Sequence, residues 1–326
     1  MDRGDLLGIN DLSHARKCRV AIIANPAAGS TTRAHVASME SLCANLSGQV
    51  DVFWTERKGH AAEYLGDLLR EGAEHNGVPD VLISVGGDGT LREVAEGIFH
   101  GAHQPSLIVM PGGTGNSNYR ALWGDIPWQD ALRASLTGAG GELRRIDLVR
   151  IDTPERLVML GVSTGLFAAA TAESRSISVA GRERYQEAIS RVLKVYEPYM
   201  GRVLVDGTVI HSGATTLVNV GGGRHRAGVY NVLPRSLPDD GLLDVCVLDP
   251  ALPAQTALKL MRNGDHLGHA GVTYARGTQV TLERTDGNPL HFESDGEVVV
   301  SERSSITVRI LPGAVPVFAN DQRPGG

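Results

Sequence analysis

The reading of the fold turns on Val81-Leu82-Ile83-Ser84-Val85-Gly86-Gly87-Asp88-Gly89-Thr90-Leu91-Arg92-Glu93-Val94-Ala95-Glu96-Gly97-Ile98. A short, mostly apolar run enters a glycine-rich loop. The loop then feeds Leu91, Val94 and Ile98, which share one helix face at i, i+3 and i+7. Thr90 and Glu93 read as a capping box that would start this helix. The same order recurs on both sides. Val20 to Ala24 leads into Asn25-Pro26-Ala27-Ala28-Gly29-Ser30, and Leu107 to Met110 leads into Pro111-Gly112-Gly113-Thr114-Gly115-Asn116. Val50 to Trp54 supplies another strand. Short β runs alternating with helical segments predict a doubly wound, Rossmann-like α/β domain with a parallel sheet.

The pattern changes near residue 146. Strand-like runs now follow one another: Leu243 to Leu248, Val298 to Val300 and Ile306 to Leu311. Asp206-Gly207 between Val203-Leu204-Val205 and Thr208-Val209-Ile210 is a two-residue hairpin signal. Thr285 to Asn288, between Val280 to Leu282 and Leu290 to Phe292, reads as a second hairpin. Arg182 to Tyr199 reads as the main helix of this half. The prediction is a C-terminal antiparallel β-sandwich.

At ~150 residues per domain, 326 residues suit two domains, and 42% hydrophobic and 21% charged residues can fill two cores. Glycine occurs 40 times without a collagen-like period, against a usual ~7% of residues. Aromatics are only 5% and the net charge is −6. Few stacking rings and no basic excess argue against a nucleic-acid partner. Cys18, Cys43 and Cys246 are scattered, with no CxxC pair, which fits a reducing, cytoplasmic setting. Met1 to Lys17 lacks the apolar run of a signal peptide. Leu157 to Ala172 is free of charge but shorter than the ~20 residues that a spanning helix needs. Peripheral contact with the inner membrane surface stays open, and Asp321 to Gly326 is expected to fray.

Glycines just before a helix N-terminus let backbone N–H groups approach an anion, and the helix dipole favours negative charge there. Asp88 inside such a loop would repel phosphate unless a divalent metal lay between them, which points to a nucleotide with Mg2+. The alternative is a plain tight turn. The loop at 111–116 repeats the logic, and the carboxyl ends of strands in open α/β sheets are where ligands bind. His266 and His269, spaced i, i+3, read as a surface pair. Arg224-His225-Arg226 reads equally as a solvated loop or an anion-facing one. Gly161-Val162-Ser163-Thr164-Gly165 fits the bare nucleophile-elbow pattern but lies in the β half, without a suitable amphipathic helix after it.

These residues resemble the diacylglycerol kinase catalytic family, which also contains sphingosine and ceramide kinases and bacterial lipid kinases. Asn25-Pro26-x-x-Gly29 matches its first loop. Thr55, Gly59 and Ala61 match T-x-x-x-G-D-A, with His60 in place of the acid. Gly86 to Thr90 is its most specific signature. Pro111, Gly113, Thr114, Asn116 and Arg120 match P-x-G-T-x-N-D-F-A-R. Asp239 to Asp244 and Asp295-Gly296-Glu297 follow in order.

The resemblance implies an ATP- and Mg2+-dependent kinase that phosphorylates a hydroxyl of a lipid or lipid-like alcohol, with its active site in a cleft between the two domains. It implies a nucleotide domain of residues 1–146 plus 305–326, the latter returning to the first domain, and an acceptor domain of residues 147–304. It places Asn25, Thr55, Gly86, Gly87, Gly89, Thr90, Gly113, Thr114 and Asn116 on the nucleotide. Asp88 and Asp147 would join a metal network, and Asp295 would be the general base with Glu297 beside it. Asp240, with backbone carbonyls near Leu237 and Leu242, would hold a structural Mg2+. A homodimer would resemble relatives.

Besides His60, further positions depart from the pattern, Asn118 and Tyr119 among them. Ser117 stands where the family has a carboxylate, which weakens the expected metal network, and Arg92 stands where many members have asparagine. An NAD kinase shares Gly-Gly-Asp-Gly, but no N-E-x-x-x-x-D-R-like string follows. A kinase for a specialised soluble alcohol, or a nucleotide-binding homologue without catalysis, are the remaining readings.

Overall fold

A computed structural model describes residues 18–320 except 76, 114, 115, 160, 180 and 228. The expectations for the N-terminal stretch, for Thr114 and for the last six residues fall outside the described residues. The chain divides into two compact units. Among the described residues, one holds 18–113, Tyr119–Arg144 and 316–320; the other holds 116–118 and Arg145–Val315.

The first unit runs β1 (Arg19–Ala24), α1 (Arg33–Leu46), β2 (Gln49–Trp54), α2 (His60–His75), β3 (Val81–Gly86), α3 (Asp88–His100), β4 (Ser106–Pro111), α4 (Ser117–Trp123), whose first two residues cluster with the second unit, and α5 (Trp128–Thr137). β1 lies parallel between β2 and β3, and β4 continues the sheet on the far side of β3. β1, β3 and β4 are almost wholly buried, as strands covered on both faces must be. That explains their unbroken apolar runs. α1 is capped by Thr32, whose hydroxyl accepts the His35 N–H at 3.1 Å, and it buries Val36, Met39 and Cys43. Desolvation holds the Cys43 thiol up at about 12.

The expected capping box is corrected. α3 starts three residues earlier, with Gly87 as its N-cap and no side-chain cap. Glu93 instead faces α2 and accepts the N–H groups of Gly59 at 2.7 Å and Ala61 at 3.2 Å. A carboxylate at the start of a neighbouring helix satisfies donors that α2 itself leaves open.

The second unit contains β5 (Gly141–Asp152) from Arg145 on, β6 (Glu155–Val158), β7 (Val162–Gly165), α6 (Leu166–Ser174), α7 (Gly181–Val192), β8 (Tyr199–Val205), β9 (Thr208–Thr215), β10 (Leu217–Gly221), β11 (His225–Arg226), β12 (Tyr230–Asn231), β13 (Leu243–Leu248), α8 (Ala254–Met261), β14 (Val272–Gly277), β15 (Gln279–Arg284), β16 (Phe292–Ser294), β17 (Glu297–Val299) and most of β18 (Ser305–Asn320). One antiparallel sheet has β15 between β18 and β8, with β9 beyond β8. The other runs β14-β13-β10-β7-β16-β17. Val149, Val162, Val203, Val218, Val245, Leu282 and Phe292 belong to one shared apolar core. This is the expected sandwich. A second cluster, including Phe167, Ile189, Leu217, Cys246 and Met261, covers the opposite face of the second sheet with α6, α7 and α8. β18 contributes residues 305–315 to this unit. Its end joins the first unit, where Val317 pairs in parallel with Leu107.

Several local expectations are revised here. Asp206-Gly207 does turn β8 into β9, but Thr285 to Asn288 is not a hairpin. β15 and β16 lie in different sheets, and the loop carries the chain from one to the other. The charge-free stretch from Leu157 to Ala172 is split among β6, β7 and α6. α6 follows the Gly161–Gly165 string directly and is apolar rather than amphipathic, in line with the expectation. α7 ends at Val192, short of Tyr199. His266 is fully buried, its Nε2 3.1 Å from the Val232 carbonyl, so it is not half of a surface pair. Arg226 is buried too, not part of a solvated loop. No helix among the described residues is long and apolar enough to cross a membrane.

Candidate active site

In the first unit the carboxyl ends of β1, β3 and β4 carry glycine-rich loops tied to one another. The Asn25 N–H donates to the Val85 carbonyl at 3.0 Å, and its side-chain amide donates to the Thr90 hydroxyl at 2.9 Å. Ser30 N–H and the Thr31 hydroxyl both donate to the Gly112 carbonyl at 3.0 Å. Thr55 follows β2, is buried, and donates its N–H to Ala24 at 2.9 Å. Asp88 opens α3 and is half-buried.

The glycines here fall into two groups. A Cβ on Gly86 would lie 2.7 Å from the Thr90 Cβ, on Gly112 2.6 Å from the Gly86 nitrogen, and on Gly113 2.7 Å from the Gly87 Cα. Gly112 and Gly113 let two segments pack backbone to backbone, and Gly86 leaves room for the Thr90 side chain. A Cβ on Gly87 or Gly89 would meet nothing within 4 Å. Gly87 has φ −88° and ψ −178°, which any residue can adopt. Glycine inside a helix costs ~1 kcal/mol against alanine, and packing gives Gly89 no reason to be one. The open space beside these two glycines, in front of the first turn of α3, fits the phosphates of a nucleotide. Mg2+ carried on phosphates commonly needs only one or two protein carboxylates, and Asp88 suits that role.

In the second unit Asp295 sits between β16 and β17. Ser294 pairs with Glu297, so Asp295 and Gly296 form a two-residue turn, with φ of 48° and 80°. Two positive φ values are the mark of a type I′ turn, where Asp and Gly are favoured. One Asp295 carboxylate oxygen accepts the Met159 N–H at 2.9 Å. Glu297 forms an ion pair with Arg156.

Asp147 on β5 accepts the N–H groups of Gly241 at 2.7 Å and Gly313 at 2.8 Å, and donates its own N–H to Pro238 at 2.8 Å. Burial pushes its carboxyl above the usual range, and the two backbone donors oppose that shift. Asp240 accepts the Leu242 N–H at 3.1 Å and pairs with Arg276. The Arg276 guanidinium also lies 3.3 Å from Asp244, which is fully buried and accepts the Tyr274 hydroxyl at 2.7 Å. The loop 237–242 therefore stands beside Asp147, but both carboxylates are supplied with protein donors. Among the described residues no group of three or more His, Cys, Asp and Glu is placed to hold a metal. Mg2+ requires a near-octahedral set of oxygens, and a guanidinium at Asp240 opposes a second cation. Asp240 with Leu237 and Leu242, as placed, does not fit a structural Mg2+, and the Asp147 carboxylate, expected in the separate network with Asp88, instead accepts two backbone amides.

One result is expected to follow from this arrangement. Millimolar Mg2+ or excess EDTA should leave the melting temperature of the nucleotide-free protein unchanged. Arg276→Gln, which strands buried Asp244, should lower stability by about 1–3 kcal/mol, less than for a wholly buried pair because Arg276 is partly solvated. A clear Mg2+-dependent rise in the parent would mean that a cation does bind at this loop.

Glu93, Arg276 and Arg156 carry no sequence motif for these roles. Only Glu93 left a signal, and that signal pointed to the wrong helix.

A parallel α/β unit edged by linked glycine loops is thus followed by an antiparallel sandwich with an acidic turn. The family described as "Diacylglycerol kinase catalytic domain" matches residues 19–151. The "YegS C-terminal NAD kinase beta sandwich-like domain" matches residues 161–319. The chain belongs to the diacylglycerol kinase catalytic-domain family of lipid kinases. It is 30% identical over 248 residues to "Probable lipid kinase YegS-like" of Pseudomonas fluorescens, covering 74% of this chain and 78% of the relative. It is 28% identical over 248 residues to "Diacylglycerol kinase" of Staphylococcus saprophyticus, with the same coverage of 74% and 78%. The crystal structure of a diacylglycerol kinase from Bacillus anthracis str. Sterne shares the fold, with a TM-score of 0.68, 19% identity, and 93% and 97% of the two chains covered.

Proposed function

We propose that this protein transfers the terminal phosphoryl group of ATP, with Mg2+, to a hydroxyl of a lipid or lipid-like alcohol. The observation that carries the reading is the open space at Gly87 and Gly89, at the start of α3, while Gly86 before them and Gly112 and Gly113 facing them are demanded by packing. Phosphoryl transfer needs positioning and charge neutralisation more than covalent chemistry. Bound ATP would supply the phosphoryl group. The α3 amides and Gly86, Gly87 and Gly89 would hold its phosphates. Asn25, Thr55, Thr90, Gly113, Thr114 and Asn116 would line the nucleotide, and Asp88 would hold its Mg2+. Asp295 would take the proton of the acceptor hydroxyl at a carboxylate oxygen. Glu297, paired with Arg156, would keep a second carboxylate beside it. The domain assignment follows: the nucleotide belongs to residues 1–146 and the C-terminal return, and the acceptor to residues 147–304.

Ser117 favours a second reading, a nucleotide-binding homologue without catalysis, because a hydroxyl binds Mg2+ or its waters less strongly than a carboxylate. Radiolabelled ATP–Mg2+ incubated with a lipid extract, with NAD, and with no acceptor separates the readings. A labelled lipid supports the proposal. Labelled NADP would replace it with an NAD kinase. Nucleotide binding without any labelled product would favour the non-catalytic reading.

A further inference from the structure

Behind the Asp295 turn lies a polar cluster that the proposed chemistry does not use. Glu293 and Arg226 are 5% and 6% exposed. Their charged groups face each other, with the Arg226 Nε 4.0 Å from a Glu293 oxygen. The other Glu293 oxygen accepts the Gly296 N–H at 3.0 Å. Arg226 donates from Nε to Asn219 Oδ1 at 2.8 Å, and Ser163 contacts that same oxygen. Ser163, Asn219 and Glu293 lie on three adjacent strands in direct register, β10–β7–β16.

A buried ion pair is a poor source of stability. Apolar residues of similar volume usually serve as well or better, while loss of one partner is costly. The pair at 226 and 293 is placed where it controls geometry instead. Glu293 holds the Gly296 amide, the second central residue of the turn. On the other side, Arg226 packs so closely on Gly161 that a Cβ there would collide with the guanidinium and with the Val220 carbonyl. The Gly161 carbonyl accepts the Asp295 N–H at 3.4 Å, and Met159 two residues earlier donates to the Asp295 carboxylate. One pair thus braces the turn itself and the β6–β7 connection whose Met159 and Gly161 grip Asp295.

We infer that Glu293, held by Arg226, is a positioning residue that sets the Asp295-Gly296 turn for proton abstraction. The inference rests on the assignment of Asp295 as the base, so its test reads the turn directly as well as the rate. In the full chain, Glu293→Met removes the acceptor at nearly constant length. Hydrogen exchange at the Gly296 amide should quicken ~10-fold or more, while exchange in β1, β3 and β4 stays as in the parent. With ATP–Mg2+ and dioleoylglycerol in detergent micelles, or the acceptor found in the screen, kcat should fall by ~10- to 100-fold, the scale of a misplaced catalytic group. KM for both substrates should stay within about twofold, since no binding group is removed. Glu293→Gln, which keeps an acceptor for Gly296, should recover most of the rate.

Unchanged exchange at Gly296, or equal quickening at every protected amide, would overturn the inference. So would a parental kcat in Glu293→Met. If Glu293→Met does not fold, Arg226→Lys carries the test, since it keeps the charge and loses the contact with Asn219. The expected result is the same local quickening and lowered kcat, and a parental profile overturns the inference. If Asp295→Asn retains the full rate, the base assignment fails on its own. The exchange result then still decides whether Glu293 clamps the turn.

Discussion

Asp295→Asn is expected to lower kcat by about 10²- to 10⁴-fold, the usual contribution of a positioned general base, with little change in folding. Asparagine is the right replacement for a physical reason. Asp295 has φ of 48°, and Asn is one of the few residues that accept this region at low cost. Its side-chain oxygen can still accept the Met159 N–H. The turn and its anchor are kept, and only the ability to take a proton is lost. Asp295→Ala would mix loss of the base with strain in the turn. The measurement is kcat in the lipid assay, beside a thermal melt. A variant with parental kcat removes Asp295 from the mechanism.

The second large effect is a contrast between two glycines in the first unit. Gly112→Ala places a Cβ 2.6 Å from the Gly86 nitrogen, a backbone atom that cannot rotate away. Overpacking of this kind costs about 1–3 kcal/mol, and the melting temperature should drop by several degrees. Gly87→Ala meets nothing within 4 Å, so the melt should move little. Alanine is a poorer N-cap than glycine, but it also narrows the unfolded ensemble, and the two effects oppose each other. If a phosphate uses the open space at Gly87, ATP should bind at least ~10-fold more weakly to Gly87→Ala, a loss of about 1.4 kcal/mol. Calorimetric titration with ATP–Mg2+ measures this. Equal affinity in parent and variant would show that no phosphate lies against Gly87.

Those two glycines also show how far a linear reading reaches. The string from Gly86 to Thr90 announces a turn from strand to helix, and the structure has one, although only Gly87 lies between β3 and α3 and the last three residues form the first turn of the helix. Which glycines serve packing and which leave room could not be read, because the atoms that decide it come from Thr31 and Thr90, and from the apposition of Gly112 and Gly113 to Gly86 and Gly87. Glu93 teaches the same lesson. Its spacing from Thr90 suggested a local cap, but its carboxylate reaches α2, some thirty positions earlier in the chain. The loop at 285–288 has the composition of a hairpin turn. The flanking strands nevertheless joined different sheets, because β15 is paired on both sides by β18 and β8 and has no edge left for β16. His266 and Arg226 looked exposed because a lone polar residue leaves no period, and burial is set by what packs on it.

The division of labour between chain order and folding can be stated at particular residues. Hydrophobic period, turn dipeptides and the ordered glycine and aspartate motifs were enough to define a parallel α/β half, an antiparallel half, the family, and the candidate roles of Gly86 to Thr90 and Asp295. These are short-range signals, carried by neighbours a few residues apart. The pairing of Arg276 with Asp240 and Asp244, the clamp of Asp147 on Gly241 and Gly313, and the Arg226–Glu293 brace are decided only in three dimensions. Each joins residues from different strands or loops, most of them far apart in the chain. Their meaning comes from desolvation and from which donors are already taken, and neither property exists until the sheets have assembled.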